Sequence, residues 1–276
     1  MTDYLVMPVA LPAPYLGALS VTTDAAGGFT SRAHDDLIAA EPAVALGFAH
    51  HVVQQANIAV LAAYIGVDPA HRVLDGAVKI GDSQSIDAVI GFTDLRGFTR
   101  FSGSASSEAV LQRLTRFFGS VHRAVSVRGG EILKFMGDGA MFVFPVGEQS
   151  LQGACAAALD AMTELRRELA PVSDGNDGAP GEDLRFATAL HHGSVLYGNI
   201  GAVDRLDFTV LGSAVNQTAR LETVAKRLDA PVVVSAAFAA ATDRDCASRG
   251  HHRLPGIADP VEVFVPVGLG AGVTGS

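Results

Sequence analysis

The feature that most constrains this chain is an apolar run that begins at Ile86 and ends on the carboxylate of Asp94. The run has the length of a β-strand, and Gly97 follows shortly after it. Glycine at that place gives the backbone the freedom that a sharp turn needs. The pattern therefore predicts a buried strand that delivers Asp94 to the end of a sheet.

A second acidic turn lies at Asp138, between two segments rich in Ile, Leu, Phe, Met and Val. Segments 131–135 and 140–144 flank it, and a glycine stands on each side of the aspartate. A Gly-Asp-Gly turn between two apolar segments is typical of a β-hairpin. If this hairpin pairs beside the strand that ends at Asp94, both carboxylates meet at one end of the sheet.

Two carboxylates held this close repel each other unless cations lie between them. Asp94 and Asp138 therefore indicate a site for divalent metal ions, and a site built from oxygen ligands favours magnesium or manganese. Two such ions, typically about 3.5 to 4 Å apart, activate an attacking hydroxyl and neutralise a phosphate during an in-line displacement. The alternative is an ordinary helix N-cap at Asp94 and an ordinary turn residue at Asp138, because aspartate is common in both places.

The segment after Asp94 predicts a binding site for an anion. Residues 95–99 should lead through the turn into a helix, and the unpaired N–H groups at the start of a helix suit a polyphosphate. We expect substrate contacts from the residues of this turn, which are Leu95, Arg96, Gly97, Phe98 and Thr99.

A later helix is predicted to begin with Ser213 as its N-cap. Asn216 and Arg220 stand four residues apart on it and so share one face. A guanidinium matches the oxygens of a phosphate that undergoes displacement, where added positive charge stabilises the transition state most. The alternative is an exposed Arg220 paired with Glu222 or Asp207.

Length, charge and cysteine content exclude several classes of protein. A chain of 276 residues has room for one or two domains. The net charge of −9 argues against a nucleic-acid backbone as a partner. Cys155 and Cys246 are the only cysteines and have no metal-binding spacing, which predicts a reducing, cytoplasmic location without disulfide bonds.

No membrane anchor is expected. The start of the chain lacks a basic region followed by an apolar core, so no signal peptide is predicted. The most apolar long segment, 43–67, is interrupted by polar side chains, which predicts a soluble helix and no membrane span. The interrupting residues are His50, His51, Gln54, Gln55 and Asn57.

Helical spacing of apolar residues predicts three more helices. One runs from about Ser31 to about Ile65, with a kink expected at Pro42. The others cover 107–128 and 151–169, where the apolar side chains form a core-facing stripe.

The segment after the last of these helices predicts a loop and then two strands. Residues 171–183 are rich in Gly, Asp and Pro and are predicted to form a surface loop. Residues 184–190 and 194–201 are predicted to be a strand pair joined by a turn at His191 and His192.

Three segments together resemble the class III nucleotidyl cyclases. They are residues 92–99, 133–139 and 207–222, in an order and at spacings similar to those of the family over about residues 84–266. The resemblance implies an α+β fold, a ferredoxin-like α/β sandwich. It also implies a reaction in which a nucleoside triphosphate closes to a 3′,5′-cyclic monophosphate and releases pyrophosphate.

The same resemblance implies a role for each matched residue. Asp94 and Asp138 would bind two divalent cations, Mg²⁺ or Mn²⁺, with the Leu95 carbonyl as a further ligand. The residues that contact the nucleotide would be Lys134 and Thr209 for the purine, Asn216 for the ribose and Arg220 for the α-phosphate in the transition state.

Lys134 and Thr209 indicate ATP as the substrate and hence an adenylate cyclase. Adenine offers an acceptor at N1 beside an amino donor, which fits a lysine donor and a threonine acceptor. Threonine also donates, and lysine can reach the guanine carbonyl, so guanylate cyclase or mixed purine specificity is the alternative. Thr209 stands where many adenylyl cyclases carry Asp, which resembles the subgroup that responds to bicarbonate or carbon dioxide.

Active sites in this family are shared between two protomers. The metal-binding aspartates come from one protomer and the four nucleotide-contacting residues from the other, and this chain has both sets. The resemblance therefore implies a symmetric homodimer with two active sites.

One residue departs from the family pattern. Pro255 stands where the family usually has a lysine that grips the terminal phosphates. Basic residues that could replace that lysine are His252, Arg253, Arg96 and Arg100. The departure motivates a third hypothesis, an inactive cyclase fold that serves as a regulatory dimerisation module.

The order of these segments along the sequence predicts the domain organisation. Residues 1–66 resemble the last third of a GAF sensor domain with its exit helix, and the alternative is a dimerising stalk with a strand packed against it. Residues 67–85 are predicted to be a connector, 86–268 the catalytic domain and 269–276 a tail.

Overall fold

The computed structural model describes residues 2–76, 79–147, 149–170, 184–202 and 205–270. The predicted loop at 171–183 and the predicted tail from residue 271 onward lie outside these residues. The chain forms two compact units, one that ends at Asp75 and one that begins at Gly76. The domain boundaries given above remain predictions.

The first unit consists of a hairpin and two helices. Strands β1 (Asp3–Val9) and β2 (Gly17–Thr23) pair antiparallel. Helix α1 (Ser31–Ile65) continues through Pro42 as one element, and α2 (Val67–Leu74) follows it. Within the described part of the chain, α1 is the helix long and apolar enough to cross a membrane, although core helices and signal sequences share that property. The absence of a membrane span therefore stays a prediction.

The second unit is one sheet covered by helices. Its elements are β3 (Ser83–Leu95), α3 (Phe98–Ser102), α4 (Ser107–Ser126), β4 (Glu131–Met136), β5 (Gly139–Pro145), α5 (Leu151–Leu169), β6 (Phe186–Ala202), β7 (Arg205–Leu211), α6 (Ser213–Arg227), β8 (Val232–Ser235), α7 (Ala236–Ala241), β9 (Cys246–His252) and β10 (Val261–Pro266). The strand order is β4-β5-β3-β6-β8-β10-β9, and β7 pairs with β6. The succession β3-α4-β4-β5-α5-β6 in this order is a ferredoxin-like split βαβ arrangement. The predicted α+β fold is confirmed.

β3 lies inside the sheet, antiparallel to both β5 and β6. Successive side chains of a strand point to opposite faces. Val89 packs in the cluster formed with α4 and α5, whereas Ala88 and Ile90 pack with Ala214 of α6 on the other face. Because helices cover both faces, β3 is apolar and largely buried from Ala88 to Phe92.

Most elements predicted for this unit are confirmed, but the predicted N-cap of α6 is wrong. The hairpin forms as β4 and β5, and the two predicted helices form as α4 and α5. Ser213 is the first residue of α6, and Gly212 is its N-cap, without a side-chain cap.

The prediction of a turn at His191 and His192 is wrong. β6 runs unbroken through both residues, opposite Ile90 and Val89 of β3. His191 is buried, and its Nδ1 atom lies 2.7 Å from the hydroxyl oxygen of Ser235. Burial lowers the pKa of His191 to about 4, so the ring is neutral and suits the interior of a sheet. The glycine that follows His192 resembled a turn signal, and long-range pairing with β3 overrode it.

A substitution at Gly91 tests how tightly the centre of the sheet is packed. A Cβ atom on Gly91 would lie 2.1 Å from Phe142, a fully buried ring that cannot yield. We expect Gly91→Ala to lower the free energy of unfolding by about 1 to 3 kcal/mol, measured by urea denaturation.

The matched control is Gly119→Ala in α4, where the nearest atom is a flexible Arg123 nitrogen at 3.5 Å. Alanine is more favourable than glycine in the interior of a helix by about 1 kcal/mol. This variant should therefore be as stable as the parent or more stable. Equal stability of both variants would contradict the packing described for β3.

Candidate active site

The end of β3 and the β4–β5 turn bring two carboxylates together. Asp94 lies opposite Gly139 in the β3–β5 register, and the Leu95 N–H donates to the Asp138 carbonyl at 3.2 Å. A Cβ atom on Gly139 would lie 2.8 Å from the Thr93 carbonyl oxygen, so only glycine permits this approach. The fold therefore places Asp94 and Asp138 at one edge of the site.

The short distance between the two carboxylates affects the pKa of Asp138. Burial, and then the neighbouring Asp94 carboxylate, raise the pKa of Asp138 to about 6. The Oδ1 atom of Asp94 is buried and accepts no hydrogen bond from any described residue. An unpartnered buried carboxylate oxygen beside a second carboxylate is a place where a bound cation would lower the free energy.

The donor set fits magnesium or manganese. In the described residues no three His, Cys, Asp or Glu side chains converge as metal ligands. The available ligands are the oxygens of Asp94 and Asp138 and main-chain carbonyls such as that of Leu95. Hard oxygen donors of this kind suit Mg²⁺, which keeps several waters and shares its coordination with substrate phosphates.

Lys226, which sequence reasoning missed, also lies in this site. Its ammonium donates to Asp94 Oδ2 and lies 2.8 Å from Glu222 Oε1, as an ion pair without hydrogen-bond alignment. Burial alone lowers the pKa of Lys226, but the hydrogen bond with Asp94 and the charge of Glu222 together raise it, so the group stays charged. The sequence signal was the Glu222–Lys226 spacing on α6, which usually marks a solvated helix face.

A cleft of about 330 Å³ opens beside the carboxylates. It is lined by Leu95, Arg96, Gly97, Phe98, Thr99, Asp138 and Lys226. Gly97 has a left-handed backbone (φ 73°) and turns the chain from β3 into the short helix α3. The predicted substrate-binding turn thus lines the same cleft as Asp138.

Arg96 lines this cleft with its guanidinium already engaged. It donates to the Asp229 carboxylate and to the Lys226 carbonyl, and its side chain is only 17% exposed. Arg185 donates to the same carboxylate at 2.7 Å. Arg96 therefore ties the β3 turn to the end of α6, and its role toward substrate stays a prediction.

The purine-reading pair predicted from the sequence lies on β4 and β7. Lys134 forms an ion pair with Asp207 at 2.5 Å, and Thr209 follows on the same face of β7 with its side chain half-buried. The contact between Lys134 and Asp207 joins β4 to β7, the strand that carries Thr209.

Asn216 and Arg220 lie closer to the N-terminal end of α6 than Lys226 does. At about 1.5 Å per residue, they are about 15 and 9 Å from Lys226 along the helix. The Arg220 guanidinium lies over Gly256, where an added Cβ atom would be 3.1 Å from it and where the backbone is left-handed (φ 71°). One chain therefore does not bring Arg220 onto the carboxylates of Asp94 and Asp138.

The alternative partners considered for Arg220 are wrong. Asp207 pairs with Lys134, and Glu222 pairs with Lys226. Pro255 precedes Gly256, in the loop on which the Arg220 guanidinium rests.

Comparison with known families identifies a match over most of the second unit. A model of the adenylate and guanylate cyclase catalytic domain matches residues 82–265. Adenylate cyclase 1 from Rhizobium meliloti (strain 1021) is 34% identical over 152 residues, which are 54% of this chain and 22% of that protein. An adenylate cyclase from Anabaena cylindrica is 25% identical over 158 residues, which are 57% of this chain and 31% of that protein. The chain thus spans less than a third of the length of these relatives.

A solved structure shares the fold. The structure of a bacterial light-regulated adenylyl cyclase aligns with a TM-score of 0.66, over 81% of this chain and 64% of that one, at 23% identity.

The raised pKa of Asp138 predicts a pH-dependent stability in metal-free protein. The pKa of Asp138 is about 6 in the folded protein, whereas that of an unfolded aspartate is about 4. The folded state therefore favours the protonated carboxyl, and the free energy of unfolding is higher below pH 4 than at neutral pH. This extra stability is lost as the pH rises through 6. Asp138→Asn removes the charge, so with a chelator present we expect it to stabilise the protein at pH 7.5 by on the order of 1 kcal/mol, a value discounted for partial exposure. At pH 4 the gain should vanish.

The measurement is urea denaturation at both pH values. Asp259→Asn is the matched control, because Asp259 is exposed and undergoes the same change of charge. A gain for Asp138→Asn that is equal at both pH values would show that the pKa of Asp138 is not raised in the folded protein.

Proposed function

The chain belongs to the family of adenylate and guanylate cyclase catalytic domains, and we propose that it is an adenylate cyclase that converts ATP to 3′,5′-cyclic AMP and pyrophosphate. Two relatives that bear the name adenylate cyclase support this choice. The observation that carries it is the pair Asp94 and Asp138, which lie half-buried beside a cleft with one buried carboxylate oxygen of Asp94 left unpartnered among the described residues.

The carboxylate pair would hold two divalent ions, Mg²⁺ or Mn²⁺, together with the Leu95 carbonyl. When bound, these ions would make the ribose 3′-hydroxyl more acidic and neutralise charge on the α-phosphate. The turn at 95–99 would hold the triphosphate in the cleft through its backbone N–H groups.

The remaining residues position the nucleotide. Lys134, fixed by Asp207, would donate to adenine N1, and Thr209 would accept from the adenine amino group. Asn216 would orient the ribose. Arg220 would stabilise the charge that develops on the α-phosphate during in-line attack by the 3′-hydroxyl.

We propose that each active site is shared across a homodimer, and the placement of these residues supports this. The nucleotide-positioning Arg220 is about 9 Å along α6 from the lysine that contacts Asp94, and its guanidinium rests on Gly256. A two-fold dimer would place Arg220 of one protomer opposite the carboxylates of the other and form two equal sites.

The second candidate function is a guanylate cyclase or a cyclase of mixed purine specificity. The hydroxyl of Thr209 can donate as well as accept, so it does not by itself reject guanine.

Thr209 also supports the proposal that the chain belongs to the threonine-type subgroup and responds to bicarbonate or carbon dioxide. The hairpin and long helix of the first unit have the order expected of a partial GAF-like segment.

Separate incubations with ATP and GTP test the proposed function. With Mg²⁺ or Mn²⁺ we expect cyclic AMP from ATP, and we expect Asp94→Ala to reduce its rate by about a hundredfold or more, because the ions lose a ligand. Product from GTP at an equal or higher kcat/KM would favour the guanylate alternative. Nucleotide binding without turnover at high Mn²⁺ would identify an inactive regulatory module.

Heterodimers of two inactive variants test the shared site. Asp94→Ala and Arg220→Ala homodimers should both be inactive, since each loses one half of every site. A co-expressed heterodimer, isolated with two affinity tags, keeps one intact site and should regain about half of the parent activity per dimer. A heterodimer as inactive as both homodimers would show that each site belongs to a single chain.

A further inference from the structure

Lys226 is a positive charge that the chain itself holds inside the candidate metal site. Its ammonium donates to Asp94 Oδ2, lies 2.8 Å from Glu222 Oε1, and lines the same cleft as Asp138. None of the roles given above to the substrate-binding residues uses this side chain.

The contact differs from an ordinary surface ion pair. The side chains of Asp94 and Glu222 are only 21% and 12% exposed, whereas that of Lys226 is 40% exposed, so solvent screens the charges only in part. Glu222 and Lys226 are four residues apart on α6, so the helix keeps both groups beside Asp94.

A divalent ion on Asp94 and Asp138 cannot leave this contact unchanged. An ammonium and a doubly charged ion on the same carboxylate repel each other. Glu222 can keep the ammonium when Asp94 is taken by an ion, because its buried Oε1 atom already lies 2.8 Å from the lysine nitrogen. The lysine therefore retains one carboxylate partner when it gives up the other.

We propose that Lys226 is a built-in counter-cation of the Asp94–Asp138 pair, which gives up Asp94 and keeps its contact with Glu222 when a divalent ion binds. The inference rests on the proposed metal site. Lys226 acts through Asp94 and is a positioning residue rather than a catalytic one. Its presence raises the concentration of Mg²⁺ or Mn²⁺ that the site needs, because each binding event must displace the ammonium.

The counter-cation also explains how two carboxylates stay together without a metal. The Lys226 ammonium donates to Asp94 and so balances part of the negative charge of the pair. Glu222 holds the ammonium near Asp94 and makes its return fast once the ion leaves.

Mn²⁺ binding to the nucleotide-free protein, followed by electron paramagnetic resonance, tests the inference. We expect Lys226→Gln to bind Mn²⁺ at least about tenfold more tightly than the parent, because this factor would remain for a double and a single charge about 5 Å apart even with the full screening of water. Arg227→Gln is the matched control, since Arg227 is the next residue, is exposed and loses the same charge. It should bind Mn²⁺ as the parent does.

Two further variants make every outcome decisive. Lys226→Met keeps an apolar stem of similar length and should show the same gain, and thermal unfolding by circular dichroism checks that both Lys226 variants fold. Asp94→Asn should lose Mn²⁺ binding. If it does and the Lys226 variants bind no more tightly than the parent, the counter-cation is overturned while the metal site stands. If Asp94→Asn binds Mn²⁺ as the parent does, the proposed metal site itself is overturned.

Discussion

The antiparallel pairing of β3 with β5 is the interaction on which the candidate site depends. It sets Asp94 opposite Gly139 and ties the Leu95 N–H to the Asp138 carbonyl. A one-residue slip would move every side chain of β3 to the other face and place a larger residue where only Gly91 fits against Phe142, so this packing fixes the register. The two carboxylates are thus held together by the hydrogen bonds and packing of the sheet, although their charges repel each other.

That repulsion shapes the surroundings of the site. Asp138 has a raised pKa, Asp94 keeps one oxygen without a partner, and Lys226 supplies a positive charge from the last turn of α6. Farther up the same helix, Arg220 rests on Gly256. The helix therefore carries a group that balances the carboxylates at one end and a group suited to a phosphate about 9 Å away.

Local pattern made much of the fold predictable. The Gly-Asp-Gly turn between two apolar segments specified the β4–β5 hairpin, because tight turns need that backbone freedom. Helical spacing specified α4 and α5 for the same local reason. β6 was read as two strands because a glycine interrupts it, and only pairing with β3 shows that it continues through His191. β9 is largely exposed and polar, so it gave no strand pattern.

The sequence by itself determined which residues could do chemistry: the aspartates at strand ends, and Asn216 and Arg220 on one helix face. Only the tertiary structure decided their partners. Lys226 contacts Asp94 although the two residues are 132 positions apart in the sequence, and Asp207 contacts Lys134 across 73 positions. The spacing of residues in the sequence predicts which side chains are neighbours within one helix or strand. Ion pairs between elements depend instead on how the sheet and α6 pack, which no local sequence pattern specifies.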